Sequence, residues 1–235
     1  MKHTPSTHHR PRVFAALLLG LMAAARVWAQ PSVCASDGQP APVALLERFI
    51  SADCATCWQD AAMPVALPRQ MAIDWIVPGA QGEDAPLSAA ATRDALTRLA
   101  ATAQTAPNSS AQTLVPVLPS PPRTTLRVAH GLPLNGYVGA SISLQWGQAA
   151  KPPTQPLTAW LLLVEAVPAG TEGTPMPRHL ARNLFTAEWR SSARWQASRV
   201  MGIPEGTDPT RLKVLGWVQD AEGRVIAAAQ SRCAP

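Results

Sequence analysis

Histidine, tyrosine and phenylalanine are scarce in this chain, at five, one and three of 235 residues. Three of the histidines fall within the first nine residues, so only His130 and His179 remain downstream. A Ser-His-Asp triad thus has few candidate bases, and no Gly-x-Ser-x-Gly elbow is present to hold its serine at a strand-to-helix turn. Neither Gly-x-Gly-x-x-Gly nor a Gly-Lys-Ser/Thr phosphate loop occurs, which leaves nucleotide binding without support. Lysine is also rare, three against seventeen arginines. No internal repeat, coiled-coil heptad or second long apolar run follows the one at the N-terminus.

That first run is informative. Lys2, Arg10 and Arg12 precede the uncharged stretch from Val13 to Ala25, and Val27-Trp28-Ala29 follows it. Charged, apolar and small-residue regions in this order read as a cleavable secretory signal peptide over residues 1–29. Thirteen apolar residues fall short of the roughly 20 that a helix needs to cross a bilayer, so no integral membrane anchor is expected. Lys2, Arg10, Arg12 and Arg26 supply four of the five net positive charges, so the exported chain is nearly neutral. Its basicity belongs to the leader and gives no reason to expect a nucleic-acid partner. The localisation that follows is exported, periplasmic or extracellular.

Proline sets the expected division of the remainder. Five prolines lie between Pro107 and Pro122, each without a backbone donor, which predicts a linker over residues 107–123. Upstream, in residues 30–106, an apolar run from Val43 to Ile50 reads as a buried strand. Ala55 to Met63 reads as a helix, Met71 to Val77 as a second strand and Ala89 to Ala103 as a second helix. Downstream, in residues 124–235, Val138, Ala140, Ile142, Leu144 and Trp146 alternate with smaller or polar residues. Leu157 to Glu165 is apolar on both faces, Leu180 to Trp195 reads as strand, and Asp220-Ala221-Glu222-Gly223 joins two strands into a hairpin. The expected class is α+β: an N-terminal βαβα unit followed by an antiparallel β-sandwich.

Chemistry concentrates in four cysteines, Cys34, Cys54, Cys57 and Cys233. Cys54-Ala55-Thr56-Cys57 stands at the predicted strand-to-helix junction. There, helix-terminal N–H groups would favour the thiolate of Cys54, and Cys57, on the same face, could resolve a mixed disulfide. The same spacing serves a purely structural disulfide equally well. A zinc site would need a second such pair, so no metal and no cofactor are expected. Asp53, beside Cys54, opposes a thiolate. Glu47 on the preceding strand is either a buried proton acceptor beneath the cysteines or a solvated or salt-bridged carboxylate. The tryptophans after the leader read as core filler in a chain so poor in other aromatics, with Trp58 as a possible apolar contact for a protein substrate.

The segment Glu47-Arg48-Phe49-Ile50-Ser51-Ala52-Asp53-Cys54-Ala55-Thr56-Cys57, with Asp74-Trp75, resembles the active-site strand and turn of a secreted bacterial thioredoxin-like family of unknown function. Glu47, Phe49, Ser51, Cys54 and Cys57 match its pattern, whereas Trp58 replaces a proline and Asp53 a glycine. The likeness covers residues 43–77 and a cysteine near each end of the exported chain. It implies a thioredoxin-like N-terminal fold and thiol–disulfide exchange through Cys54 and Cys57, with protein thiols or disulfides as partners. Four cysteines permit three connectivities, and if the local pair closes, Cys34 and Cys233 are left to form a structural disulfide. The alternative function is a non-enzymatic secreted binding or assembly protein stapled by both bonds.

Overall fold

Strands dominate the architecture. The computed structural model describes Met1 and residues 34–147, 151–190 and 194–233. Apart from Met1, the expected signal peptide lies outside the described residues. In chain order the elements are β1 (Cys34–Ala35), β2 (Ala44–Ser51), α1 (Ala55–Trp58), β3 (Gln70–Val77), α2 (Arg93–Ala101), β4 (Ser110–Pro116) and β5 (Thr125–His130). They continue with β6 (Tyr137–Gln145), β7 (Leu157–Val167), β8 (Arg178–Trp189), β9 (Arg194–Gly202), β10 (Leu212–Gln219), β11 (Val225–Gln230) and β12 (Arg232–Cys233). Two sheets result, one in the order β12-β1-β5-β6-β9 and the other β11-β10-β7-β8-β3-β2-β4.

Alternation along the strands explains how the sheets stack. On β7, Leu157, Ala159, Leu161 and Leu163 meet Val128, Ile142, Leu144 and Met201 of the five-stranded sheet. The intervening Trp160, Leu162 and Val164 face the opposite way, toward Leu45, Trp75 and Leu99. A strand covered on both faces has to be apolar throughout, as the sequence of β7 is. Gly216 on β10 permits the close approach of the sheets, since a Cβ there would lie 2.5 Å from Val128 Cγ1 and 2.9 Å from Ile142 Cδ1. The second layer over the seven-stranded sheet is α2, capped by the Thr92 side chain, which accepts from the Asp94 N–H.

The expected α+β class, with a thioredoxin-like βαβα unit ahead of a separate sandwich, is overturned. β2 and β3 are parallel neighbours, but they belong to the same sheet as β7, β8, β10 and β11, and the result is a β-rich sandwich. Among the described residues the two α-helices span only four and nine residues. α1 stops at Trp58 instead of reaching Met63, because the Asp60 carboxylate accepts from the Ala62 N–H at 2.8 Å and offers the backbone a turn in place of a helix. Periodicity identified the buried strands correctly as strands. It carries no information about which distant strands they pair with.

The stretch expected as a linker, residues 107–123, contains a strand. Ser110–Pro116 is β4, antiparallel to β2 along its length; Val117 continues that contact by donating to the Val43 carbonyl at 2.9 Å, and Leu118 then reaches β11, donating to the Val225 carbonyl at 2.8 Å. β4 is an edge strand and Pro116 is its last residue, where a missing N–H costs little. Pro31–Pro235 accordingly group into one compact unit. The segment read as a single strand from Leu180 to Trp195 divides into β8 and the start of β9. The hairpin through Asp220–Gly223 is present, with Asp220 Oδ1 accepting from the N–H groups of Glu222 and Arg224.

Candidate functional site

Two disulfides are closed, Cys34–Cys233 and Cys54–Cys57. Together they are what an oxidising compartment, extracellular or periplasmic, allows. Among the described residues no helix is long and apolar enough to cross a membrane.

The local pair sits just past the C-terminal end of β2. Ser51 ends the strand, its carbonyl accepts from the Cys54 N–H at 3.0 Å, and the Cys54 carbonyl accepts from Cys57 N–H at 3.2 Å. Both cysteines are half-buried. Cys57 packs beside Leu87 against a core of Ile50, Ile76, Trp58 and Leu180. The single turn of α1 has too few aligned peptide units to supply the dipole that the sequence suggested.

Asp53 is held by backbone donors. Its carboxylate accepts from the backbone N–H groups of Ala80 at 2.7 Å and Gln81 at 3.2 Å, fastening the loop after β3 to the loop after β2. Gly79 makes room for it, since a Cβ there would fall 2.2 Å from Asp53 Oδ1.

Glu47 and Arg48, adjacent on β2, go to opposite faces and are both buried. Glu47 faces α2, where Arg98 donates to it through Nη2 at 2.6 Å and Nε at 2.8 Å, and Trp75 Nε1 donates at 3.2 Å. The Arg98 guanidinium also lies over the rings of Trp160 and Trp217, 5.0 and 5.1 Å from their centroids. Glu47 is thus the salt-bridged carboxylate of the two expected possibilities, on the face of β2 opposite the apolar cluster that receives Cys57.

On that other face, Arg48 and Arg178 share one carboxylate, Asp74, at 2.7 and 3.1 Å. Burial depresses the Arg178 pKa, and the Asp74 charge opposes that shift. Arg178 holds Trp58 in two ways and also reaches Met63. Its guanidinium stands 4.9 Å over the indole, its Nη2 donates to the Trp58 carbonyl at 2.9 Å, and the Met63 sulfur beside the same core receives its Nη1. Trp58 Nε1 donates to the Glu172 carbonyl at 2.7 Å. The indole is only 7 % exposed, so most of its surface packs inside the protein. Its remaining edge lines a cleft of about 240 Å³ with Leu87, Leu180, Glu172, Arg182 and Glu205. Trp75, Trp160, Trp189, Trp195 and Trp217 are buried filler.

Cys34 and Cys233 are register partners on β1 and β12, and His130 on β5 is the register partner of Cys34 on its other side. Nothing in the local sequence around His130 reveals that it stands beside a cysteine 96 positions away. Its Nδ1 lies 2.9 Å from the Gly131 carbonyl, and burial lowers its pKa. His179 is likewise depressed by burial, with Nδ1 3.1 Å from the Ala72 carbonyl.

No family model matches the chain, and no curated protein matches it at a significant level. Two solved structures are similar over most of its length. One is a protein of Agrobacterium tumefaciens, 12% identical, with a TM-score of 0.43, covering 83% of this chain and 94% of that one. The other is HBP35 of Porphyromonas gingivalis, 13% identical, with a TM-score of 0.43, covering 82% of this chain and 76% of that one. Likeness at this level carries no argument about the site.

Proposed function

We propose that the chain is an exported, non-enzymatic binding or assembly protein, its leader removed after residue 29, in which both disulfides act as staples. The observation that supports this best is the fate of the groups around Cys54 and Cys57. Asp53 is committed to two backbone donors, Glu47 to Arg98, and Trp58 to Arg178 and Glu172. No free base and no long helix is left to activate a thiol there among the described residues. The cleft lined by Trp58, Leu87 and Leu180 is the preferred contact point for a protein partner. At about 240 Å³ it is smaller than the 300–1,000 Å³ usual for small-molecule sites, and it suits one apolar side chain of a peptide. Glu205 beside it favours a neighbouring basic residue on that peptide, whereas Glu172 is already paired with Arg211 at 2.6 Å. The test is a pull-down and titration of partners from the exported fraction. A Cys54→Ser/Cys57→Ser protein retains binding, and Leu87→Glu, at a partly exposed wall of the cleft, loses it.

Thiol–disulfide exchange is the second reading, and one observation favours it. Arg48 and Arg178 share a single carboxylate, leaving an excess buried positive charge bonded to the carbonyl of the residue after Cys57. Such a charge favours a thiolate. Trapping of mixed disulfides by Cys57→Ser would establish this reading in place of the first.

A further inference from the structure

The row formed by Cys233, Cys34 and His130 crosses three adjacent strands, with Cys34 opposite both of the others. A ring nitrogen of His130 and the two sulfurs all lie within 4.8 Å of one another. His130 is 4% exposed. Its Nδ1 faces the Gly131 carbonyl, which can only accept, so Nδ1 carries the proton and Nε2 presents a lone pair. That Nε2 is buried and has no hydrogen-bond partner among the described residues. Leaving a buried polar atom unpaired costs about 1–3 kcal/mol, so the orphan calls for an explanation.

We propose that, once the Cys34–Cys233 disulfide is reduced, Cys34, Cys233 and His130 bind a thiophilic divalent cation, zinc foremost, in its place. A dithiol or phosphine reductant supplies the two electrons. The dithiol closes to its own disulfide, or the phosphine becomes its oxide with oxygen from water, and the protein gains two thiols. Zinc then displaces both thiol protons and gains two Zn–S bonds and one Zn–N bond. Bond lengths of about 2.3 Å to sulfur and 2.0–2.1 Å to nitrogen place tetrahedral donors about 3.5–3.8 Å apart. Donor atoms already gathered within 4.8 Å need little movement to meet that spacing. Two thiolates and an imidazole select zinc over magnesium or calcium. An Nδ1–H held by a backbone carbonyl is the usual support for a ligating Nε2. Cys233 is exposed, which opens the fourth position to water. The ion would do the work of the disulfide, tying β12 to β1.

The test uses the exported protein with Cys54→Ser and Cys57→Ser, so that only two thiols are available. After reduction by a phosphine and removal of the reagent, it is titrated with cobalt and then zinc. The expected result is one equivalent of cobalt with thiolate charge-transfer absorption, its displacement by zinc, and protection of Cys34 and Cys233 from alkylation. The oxidised protein shows none of these. Loss of an outer partner of a metal ligand costs about 10–100-fold in affinity, so removal of the ligand in His130→Ala weakens zinc at least tenfold. Absence of stoichiometric binding by the reduced protein, or equal affinity in His130→Ala, overturns the proposal. If the reduced chain loses its fold without metal, zinc restores its β-sheet circular dichroism but not that of His130→Ala, and failure to restore it overturns the proposal equally.

Discussion

Glu47 and Arg98 meet through two hydrogen bonds in an interior where neither side chain is more than 1 % exposed. The pair joins the middle of β2 to α2 and sets an ionic group beneath the stacked rings of Trp160 and Trp217. Breaking one side of a buried pair leaves an uncompensated charge, at a cost of about 3–5 kcal/mol. Glu47→Ala is therefore expected to lose about that much stability in urea denaturation. Glu47→Leu combined with Arg98→Met removes both charges and is expected to cost far less than the sum of the single changes.

Gly216 tests the separation of the two sheets. A methyl group there meets Val128 and Ile142 at distances that force one of them to move. Gly216→Ala is expected to destabilise by about 1–3 kcal/mol, the usual cost of overpacking, and adding Val128→Ala is expected to recover part of the loss. Equal stability of Gly216→Ala and the parent would mean that the sheets lie farther apart.

Much of this arrangement was legible in the residues. The cores of β2, β3, β6, β7, β10 and β11 follow from apolar runs or strict alternation, and the turn chemistry of Asp220 and Gly223 marks a hairpin. β1 and β12, two residues each, are too short to have a period. β4 was hidden by the prolines that make it look like a linker, because proline reports a missing donor and not whether the strand lies at an edge. The candidate site was legible only as far as the cysteines. Glu47 with Arg98 and Cys34 with His130 are meetings of residues far apart in the chain, and register alone creates them.

Stability should fall with moderate acid. His130 and His179 both have folded pKa values below the ordinary 6.5, mainly through burial. The unfolded chain therefore takes up protons below about 6.5 that the native state refuses, so stability is lost as pH falls from 7 toward 5. Asp94 is raised by burial and acts with the opposite sign from its ordinary 3.8 upward, so the variants isolate the histidines better than the parent's slope does. Urea midpoints of His130→Gln and His179→Gln across this range should each show a shallower pH dependence than the parent.

The two disulfides should differ in what they contribute. On the chain-entropy model, a bond spanning 199 residues stabilises by about 5 kcal/mol at most, and one spanning three by about 2 kcal/mol. Cys34→Ser/Cys233→Ser is thus expected to lower the denaturation midpoint more than Cys54→Ser/Cys57→Ser. The reverse order would place the main staple at the local pair.

The reduction potential of Cys54–Cys57, measured in dithiol buffers on a Cys34→Ser/Cys233→Ser background, bears most directly on the role of the pair. A staple with a carboxylate at Asp53 and only one helical turn has little to stabilise its reduced form, so a potential below about −300 mV is predicted, as for structural disulfides. A value between about −120 and −230 mV, in the range of disulfide isomerases, glutaredoxins and stronger oxidants, would contradict the account and make the pair an exchanging one.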